Sequence, residues 1–163
     1  MSKQKMSHCK EIEKFRAQAY RMLCIKGRSR RQVYEALLRK GATEDVAAMV
    51  VSALSEQGLL DDIAFAREFT EQFLARKPCG PRFLLAALLR AGVDRNTCHE
   101  ALDEIFSEER EKELAVQLVH RLLKKTDKSR LQILRHLKYR GFSENASCRA
   151  LAEEFGCCLD IIP

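Results

Sequence analysis

Apolar and polar residues near the N-terminal end of the chain follow the period of an amphipathic helix twice in succession. Ser29 is a suitable N-cap for the first of these helices, and apolar residues recur after it at three- and four-residue spacing. Gly41 then predicts the helix end, because glycine enters the left-handed conformation without a Cβ penalty. Thr43 is placed to cap the second helix, which Gly58 ends. The stretch therefore predicts helix, tight turn and helix, with a third helix opening at Asp61–Asp62.

The same pattern returns twice along the chain. Gly41, Gly92 and Gly141 are separated by 51 and 49 residues in the numbering. Counting back from each glycine gives two matched apolar positions and a cap: Leu37, Val33 and Ser29; Leu88, Leu84 and Gly80; Leu137, Ile133 and Ser129. A fixed period of about fifty residues is the signature of a repeat architecture. The sequence therefore predicts an elongated all-α protein of three tandem three-helix repeats, with nine main helices and no sheet.

The repeats divide the chain into three units between two short tails. The expected segments are a basic N-terminal tail (1–10), unit one (11–58), unit two (59–106), unit three (107–155) and a C-terminal tail (156–163). The first helix of unit one is expected to run from Ile12 to Cys24. No apolar run approaches the roughly 20 residues that span a bilayer, and no signal peptide is visible. We therefore expect a cytoplasmic protein that is monomeric and has no membrane partner.

Charge is distributed unevenly around the net value of +6. Residues 1–40 carry 12 Lys/Arg against 3 Asp/Glu, residues 41–111 carry 7 against 14, and residues 112–163 carry 10 against 6. Basic ends raise the local concentration of polyanions, so nucleic acid is a candidate partner, although a solvated helix face would look the same. The candidate contacts are Arg28, Arg30, Arg31, Arg39 and Lys40 in unit one, and Lys124, Lys125, Lys128, Arg130, Arg135, Lys138 and Arg140 in unit three.

Motifs of catalysis and metal binding are missing from the sequence. Seven cysteines include no C-x-x-C pair, and four histidines complete no ligand set, so reduced thiols acting as small hydrophobes are expected. No phosphate-binding loop, dinucleotide fingerprint, zinc-protease motif or nucleophile elbow occurs. Helix capping explains Asp61 and Asp62 better than a catalytic carboxylate pair. Phe65, Phe69 and Phe73 recur every four residues and are interpreted as core rather than as a base-stacking platform. The sequence predicts a protein without catalytic residues or cofactor.

Three strings stand out along the chain: S-R-R-Q-V-Y-E-A-L-L-R-K-G at 29–41, G-L-L-D-D-x-x-F-A at 58–66 and G-P-R-F-L-L-A-A-L-L-R-A-G at 80–92. Together they resemble the RecX family of regulatory proteins, and the resemblance covers roughly residues 12–155. It implies a curved, elongated body that binds along the groove of the RecA recombinase filament on DNA. It also implies modulation, usually inhibition, of recombinase, ATPase and coprotease activities, and hence a part in DNA repair, recombination and the SOS response.

Two other functions are compatible with parts of the sequence. A helix-turn-helix protein acting in transcription would place the residues after each glycine turn against base edges. Only Asp94–Thr97 has suitable side chains there, since Thr43–Asp45 and Ser143–Glu144 bring acids to the point nearest phosphate. A thiol sensor or plain interaction scaffold is the other alternative, with the adjacent Cys157 and Cys158 as the reactive candidates.

Overall fold

The computed structural model describes residues 2–124 and 128–156, and these residues form nine α-helices without a strand. The all-α prediction is therefore confirmed. None of the described helices is long and apolar enough to cross a bilayer. The helices are α1 (Ser2–Ile25), α2 (Arg30–Arg39), α3 (Glu44–Glu56), α4 (Asp62–Arg76), α5 (Pro81–Arg90), α6 (Arg95–Ile105), α7 (Glu108–Leu123), α8 (Arg130–Tyr139) and α9 (Glu144–Phe155).

The middle helix of each unit begins at the residue that the repeat pattern predicts. Ser29, Gly80 and Ser129 are the N-caps of α2, α5 and α8. The two serine hydroxyls accept backbone N–H groups three residues on, whereas Gly80 makes no side-chain cap bond and is followed by a first-turn proline. Local signals therefore mark the start of all three middle helices: a serine cap for α2 and α8, and a first-turn proline for α5.

The first helix is longer than the sequence pattern indicates. It begins at Ser2, whereas the prediction placed its start at Ile12 after a frayed basic tail. The added residues contain no glycine or proline, and Lys, Gln and Met are good helix formers. Amphipathic periodicity marks only the part of a helix that packs on a core, and residues 2–11 show no such period in the sequence.

Each unit is a three-helix bundle, and the repeat register places the same positions of the middle helix inside in all three. The paired apolar residues before each glycine turn have no exposed surface: Val33 and Leu37, Leu84 and Leu88, Ile133 and Leu137. Buried residues of unit one form a core of their own, whereas units two and three share one continuous core. The chain therefore divides more deeply after unit one than after unit two.

Successive middle helices meet end to end. The first turn of α5 lies on the last turn of α8, where Gly80 N–H donates to the Arg140 carbonyl oxygen at 2.9 Å and Arg82 N–H donates to the Gly141 carbonyl oxygen at 3.3 Å. A Cβ at Gly80 would collide with that Gly141 oxygen, so glycine is required by close backbone approach.

The first turn of α2 lies on the last turn of α5 in the same way, but through a side chain. The Ser29 hydroxyl donates to the Ala91 carbonyl oxygen at 2.6 Å. A Cβ at Gly92 would lie 2.6 Å from the Arg31 Cβ. Among residues 2–124 and 128–156, the three middle helices thus form a row with no further helix packed on its ends: a Cβ at Gly41 would meet nothing within 4 Å, and the exposed Ser129 completes a capping box with Gln132.

Candidate nucleic-acid interface

The basic residues predicted in unit one lie on two different faces of α2. Arg28 and Arg39 face α4, while Arg30 and Arg31 line a shallow cavity between α2 and α3. The Arg31 Nε donates to Glu35 Oε1 at 2.8 Å, so its charge is partly neutralised on its own helix. The residues predicted as one cluster are therefore divided between two faces.

The basic residues predicted in unit three gather around α8. Lys124 is exposed after α7, Lys128 and Arg130 are half-buried where α8 begins, and Arg135 and Lys138 are exposed along the helix. Lys138 Nζ lies 3.5 Å from Glu144 Oε1. Lys125 lies outside the described residues. Apart from Lys125 and Arg140, the members of this set lie between the end of α7 and the last turn of α8.

Arg140 serves the junction between units two and three. Its Nε and Nη2 donate to the Pro78 carbonyl oxygen at 3.3 and 3.1 Å. Its guanidinium also lies 4.6 Å from the centroid of the Phe83 ring, within the range of a cation–π contact. The side chain is half-buried by these contacts. Arg140 therefore fastens two units together, and a partner would have to share a group that the fold already uses.

A groove between α2 and α4, which we call the α2–α4 groove, was not foreseen from the sequence. A cavity of about 400 Å³ lies at one end and a cavity of about 280 Å³ at the other, and a smaller one lies between them. All three share Lys26 and Phe69 in their walls, so they follow one path along α4. The cationic residues of the groove are Lys26, Arg28, Arg39, Arg76, Lys77 and Arg90.

The phenylalanine stripe of α4 forms the floor of this groove. Phe65 is buried with 8% of its surface exposed, whereas Phe69 and Phe73 are only partly buried. Neighbouring ring centroids are 5.8 and 6.1 Å apart, and Phe73 continues to Phe83 at 5.5 Å. The interpretation of the stripe as core is right for Phe65. Phe69 and Phe73 pack on the core and also present ring surface to the groove.

Sequence reasoning found two of the six cations, Arg28 and Arg39, because they belong to the basic N-terminal region. Arg76, Lys77 and Arg90 were overlooked because they fall in residues 41–111, where acidic residues outnumber basic ones. The available signal was local: Arg76 follows Phe65, Phe69 and Phe73 on the same face of one helix, at three- and four-residue spacing. The net charge of residues 41–111 does not reveal this face, because it averages over all sides of the helices.

The described cysteines divide into buried and exposed thiols. Cys79 lies at the junction of units two and three, where burial raises its pKa to about 11 despite the opposing charge of Arg140. Burial also raises the pKa of Cys98. Such thiols are protonated and poorly reactive at neutral pH. Cys9, Cys24 and Cys148 are exposed. Cys157 and Cys158, the reactive candidates of the thiol-sensor reading, lie outside the described residues.

The part of the chain that the structure describes contains no group of three His, Cys, Asp or Glu side chains that could hold a metal ion.

The first turn of α6 argues against the helix-turn-helix hypothesis. The Asp94 carboxylate accepts the N–H groups of Asn96 and Thr97 and the Thr97 hydroxyl, which lowers its pKa. These capping contacts occupy the Asp94 and Thr97 side chains, two of the four that were expected to reach base edges.

Comparison with known proteins finds relatives that share one description, regulatory protein RecX. No protein-family model matches the chain. The chain is 30% identical over 148 residues to the regulatory protein RecX of Mycobacterium avium (strain 104), covering 87% of this chain and 85% of that protein. It is 32% identical over 144 residues to the regulatory protein RecX of Thermobifida fusca (strain YX), covering 85% of this chain and 77% of that protein.

Solved structures agree on the fold. The crystal structure of RecX from Lactobacillus salivarius superposes with a TM-score of 0.81 at 22% identity, covering 89% of this chain and 97% of that one. A second crystal structure, of regulatory protein RecX, gives a TM-score of 0.75 at 20% identity and covers 90% and 72%. Sequence identity of this extent over most of both chains, with the motifs at 29–41, 58–66 and 80–92, places the protein in the RecX family of regulatory proteins.

Proposed function

We propose that this chain is a non-catalytic regulator that binds the RecA recombinase filament on DNA and inhibits its recombinase, ATPase and coprotease activities. Membership of the RecX family carries the proposal, because a regulatory protein with that name implies RecA as its partner. The protein acts as a monomer in the cytoplasm, in DNA repair, recombination and the SOS response.

The architecture supports this proposal through its row of middle helices. Three units repeat at intervals of 51 and 49 residues, and a periodic surface can contact several protomers of a helical filament together. Exposed basic side chains lie in units one and three, on either side of the net acidic middle of the chain. Those side chains are suited to the phosphate backbone or to acidic protomer surfaces.

The deciding experiment measures DNA-stimulated ATP hydrolysis by the cognate recombinase. Stoichiometric amounts of this protein should suppress it. Arg30→Glu with Lys40→Glu, and Arg135→Glu with Lys138→Glu, should each raise the dose needed, because all four side chains are exposed and reversal replaces attraction by repulsion. Arg95→Glu, an exposed reversal in the acidic middle, is the matched control and should leave the dose unchanged.

Two outcomes contradict the proposal at different levels. Unchanged ATP hydrolysis with the unmodified protein at stoichiometric amounts removes the regulatory function itself. Normal inhibition by both double reversals, with circular dichroism showing the same helix content, removes the basic surfaces of units one and three from the binding site and leaves the regulatory function in place.

A further inference from the structure

We propose that the α2–α4 groove binds single-stranded nucleic acid, with phosphates on its basic rim and bases stacked on Phe69 and Phe73. The proposal rests on the proposed function only for the source of the strand, since a recombinase filament is assembled on DNA. The groove shares Arg28 and Arg39 with the basic residues predicted in unit one, but it is separate from the face that carries Arg30 and Arg31 and from α8, and its contacts are of a different kind.

Charge is the first argument. Six cations border the groove, and the two carboxylates that line it are Glu35 and Glu68. Glu35 is already paired with Arg31, and Glu68 accepts a hydrogen bond from the Gln72 side chain at 2.9 Å. None of the six cations forms an ion pair within residues 2–124 and 128–156. The rim therefore has cationic side chains available for a polyanion, gathered from four separate elements.

The aromatic floor is the second argument. Phe69 and Phe73 show ring surface to the groove, with centroids 6.1 Å apart. A single strand can turn unstacked bases onto such rings, and this stacking works for any base because every base has a π-face. A duplex keeps its bases paired and stacked inside, so it offers these rings nothing. The combination of a basic rim and an aromatic floor therefore selects single strands.

The length of the groove is the third argument. Its floor runs along α4 from Phe65 to Lys77, which is roughly 18 Å at the helical rise of about 1.5 Å per residue. A fully stacked strand, at about 3.4 Å per nucleotide, would place about five nucleotides along this length, and a strand whose bases are unstacked, which is longer per nucleotide, would place fewer. The order of residues along the path is Arg39 and Arg90 near Phe65, Lys26 in the centre, and Arg76 and Lys77 at the far end.

Arg28 supplies a further observation on the wall of the groove. Its Nε is buried and donates to no acceptor among the described residues. A buried donor without a partner is costly, so most such groups in folded proteins are satisfied. A phosphate oxygen that reached this guanidinium after a small side-chain rotation would satisfy the donor. An anionic ligand in the groove would supply an acceptor for this donor.

The test measures binding to naked strands by fluorescence anisotropy, without recombinase. We use a labelled ten-nucleotide oligothymidylate and an abasic strand of the same length, which carries the same phosphates without bases. The unmodified protein should bind the abasic strand about five-fold or more weakly, because each base stacked on an aromatic ring contributes about that factor or more. Equal affinity for the two strands overturns the stacking part of the proposal.

Variants locate the site. Phe69→Leu keeps an apolar side chain and removes the ring, so it should weaken oligothymidylate binding about five-fold or more and leave the abasic strand unaffected. Arg39→Glu with Arg90→Glu should weaken both strands and flatten the plot of log affinity against log salt by about 0.7 for each lost phosphate contact. Arg95→Glu, which lines none of the three cavities, should change neither.

Three further outcomes also bear on the proposal: a variant that does not fold, a peptide that competes with the strand, and a variant that separates strand binding from inhibition. If Phe69→Leu fails to fold by circular dichroism, the exposed Arg39 and Arg90 reversals decide, and unchanged strand affinity in that variant overturns the proposal. A peptide of glutamates and phenylalanines that displaces the strand at lower concentration, and loses binding in the same variants, assigns the groove to a protein segment instead. Recombinase inhibition is measured separately: a variant that inhibits normally but has lost strand binding leaves the proposed function intact.

Discussion

Ser29 occupies a position where one hydroxyl makes two bonds in different units. It accepts the Gln32 N–H at 3.2 Å as the N-cap of α2, and it donates to the Ala91 carbonyl oxygen at 2.6 Å at the end of α5. The residue has no exposed surface. At the equivalent position of unit three, Ser129 caps α8 but is exposed and has no following unit beneath it. Ser129 is therefore a control for Ser29, because it shares the capping role but lacks the contact with another unit.

Replacing these two serines separates capping from contact between units. Ser129→Ala should lower the free energy of unfolding by about 0.5–2 kcal/mol, the usual cost of a lost N-cap. Ser29→Ala should lower it by about 1–3 kcal/mol more, because the partly buried contact between units also loses the donor of the Ala91 carbonyl oxygen. Urea denaturation followed by far-UV circular dichroism measures both. Equal losses would mean that the hydroxyl contact with Ala91 adds nothing to stability.

At the scale of the helix, the turn after each middle helix has the same backbone conformation but different surroundings. Gly41 and Gly141 have φ of +91° and +78°. A Cβ at Gly41 would stand in open space, whereas one at Gly141 would collide with the backbone nitrogen of Phe83 in the first turns of α5. Gly41 is therefore favoured by its left-handed backbone conformation alone. Gly141 is favoured by the same conformation and also by the close approach of α5.

Alanine at the two turns should distinguish these roles. Gly41→Ala should cost about 1–2 kcal/mol, the strain of a left-handed residue that carries a Cβ. Gly141→Ala should cost about 2–5 kcal/mol, because overpacking against the backbone of α5 adds to that strain. Thermal and urea unfolding of the two variants provide the comparison. A smaller loss for Gly141→Ala than for Gly41→Ala would show that α5 and α8 can move apart at little cost to accommodate the added methyl group.

The helices were largely predictable from sequence because their signals are local. Caps such as Ser29 and turn glycines such as Gly41 act within a few residues of their own positions, and burial at Leu37 follows the helical period. The groove was not predictable because it is made by residues that are distant in sequence, such as Arg39 and Arg76. Arg140 shows the same limit: sequence reveals its charge, but only the packing of α5 on α8 reveals its contact with Pro78.

At the scale of the whole molecule, the division of the core is the feature that the repeats conceal. Three similar units would suggest three equal modules, yet units two and three share one core while unit one has its own. Junction contacts include the Ser29–Ala91 hydrogen bond and the Arg30 N–H donating to Asp62 Oδ1 at 2.9 Å. The α2–α4 groove lies at the boundary between the two cores, so its width depends on the position of unit one relative to units two and three.

Two matched core truncations test whether the boundary separates cooperative units. Leu37 and Leu137 precede their glycine turns by the same interval, and both are fully buried. Each change to alanine should remove about 2–5 kcal/mol of stability from the core that contains it. Because the cores are separate, Leu37→Ala should speed amide hydrogen exchange through α1–α3 and leave α4–α9 as they were.

Leu137→Ala should instead speed exchange in both α4–α6 and α7–α9, because its side chain belongs to the core that these six helices share. Mass spectrometry of peptides from each unit reads both variants in the full chain, so no fragment has to fold alone. Faster exchange in all nine helices of the Leu37→Ala variant would show that the chain unfolds as a single cooperative body. Protection retained in α4–α6 of Leu137→Ala would show that units two and three are as independent of each other as unit one is of both.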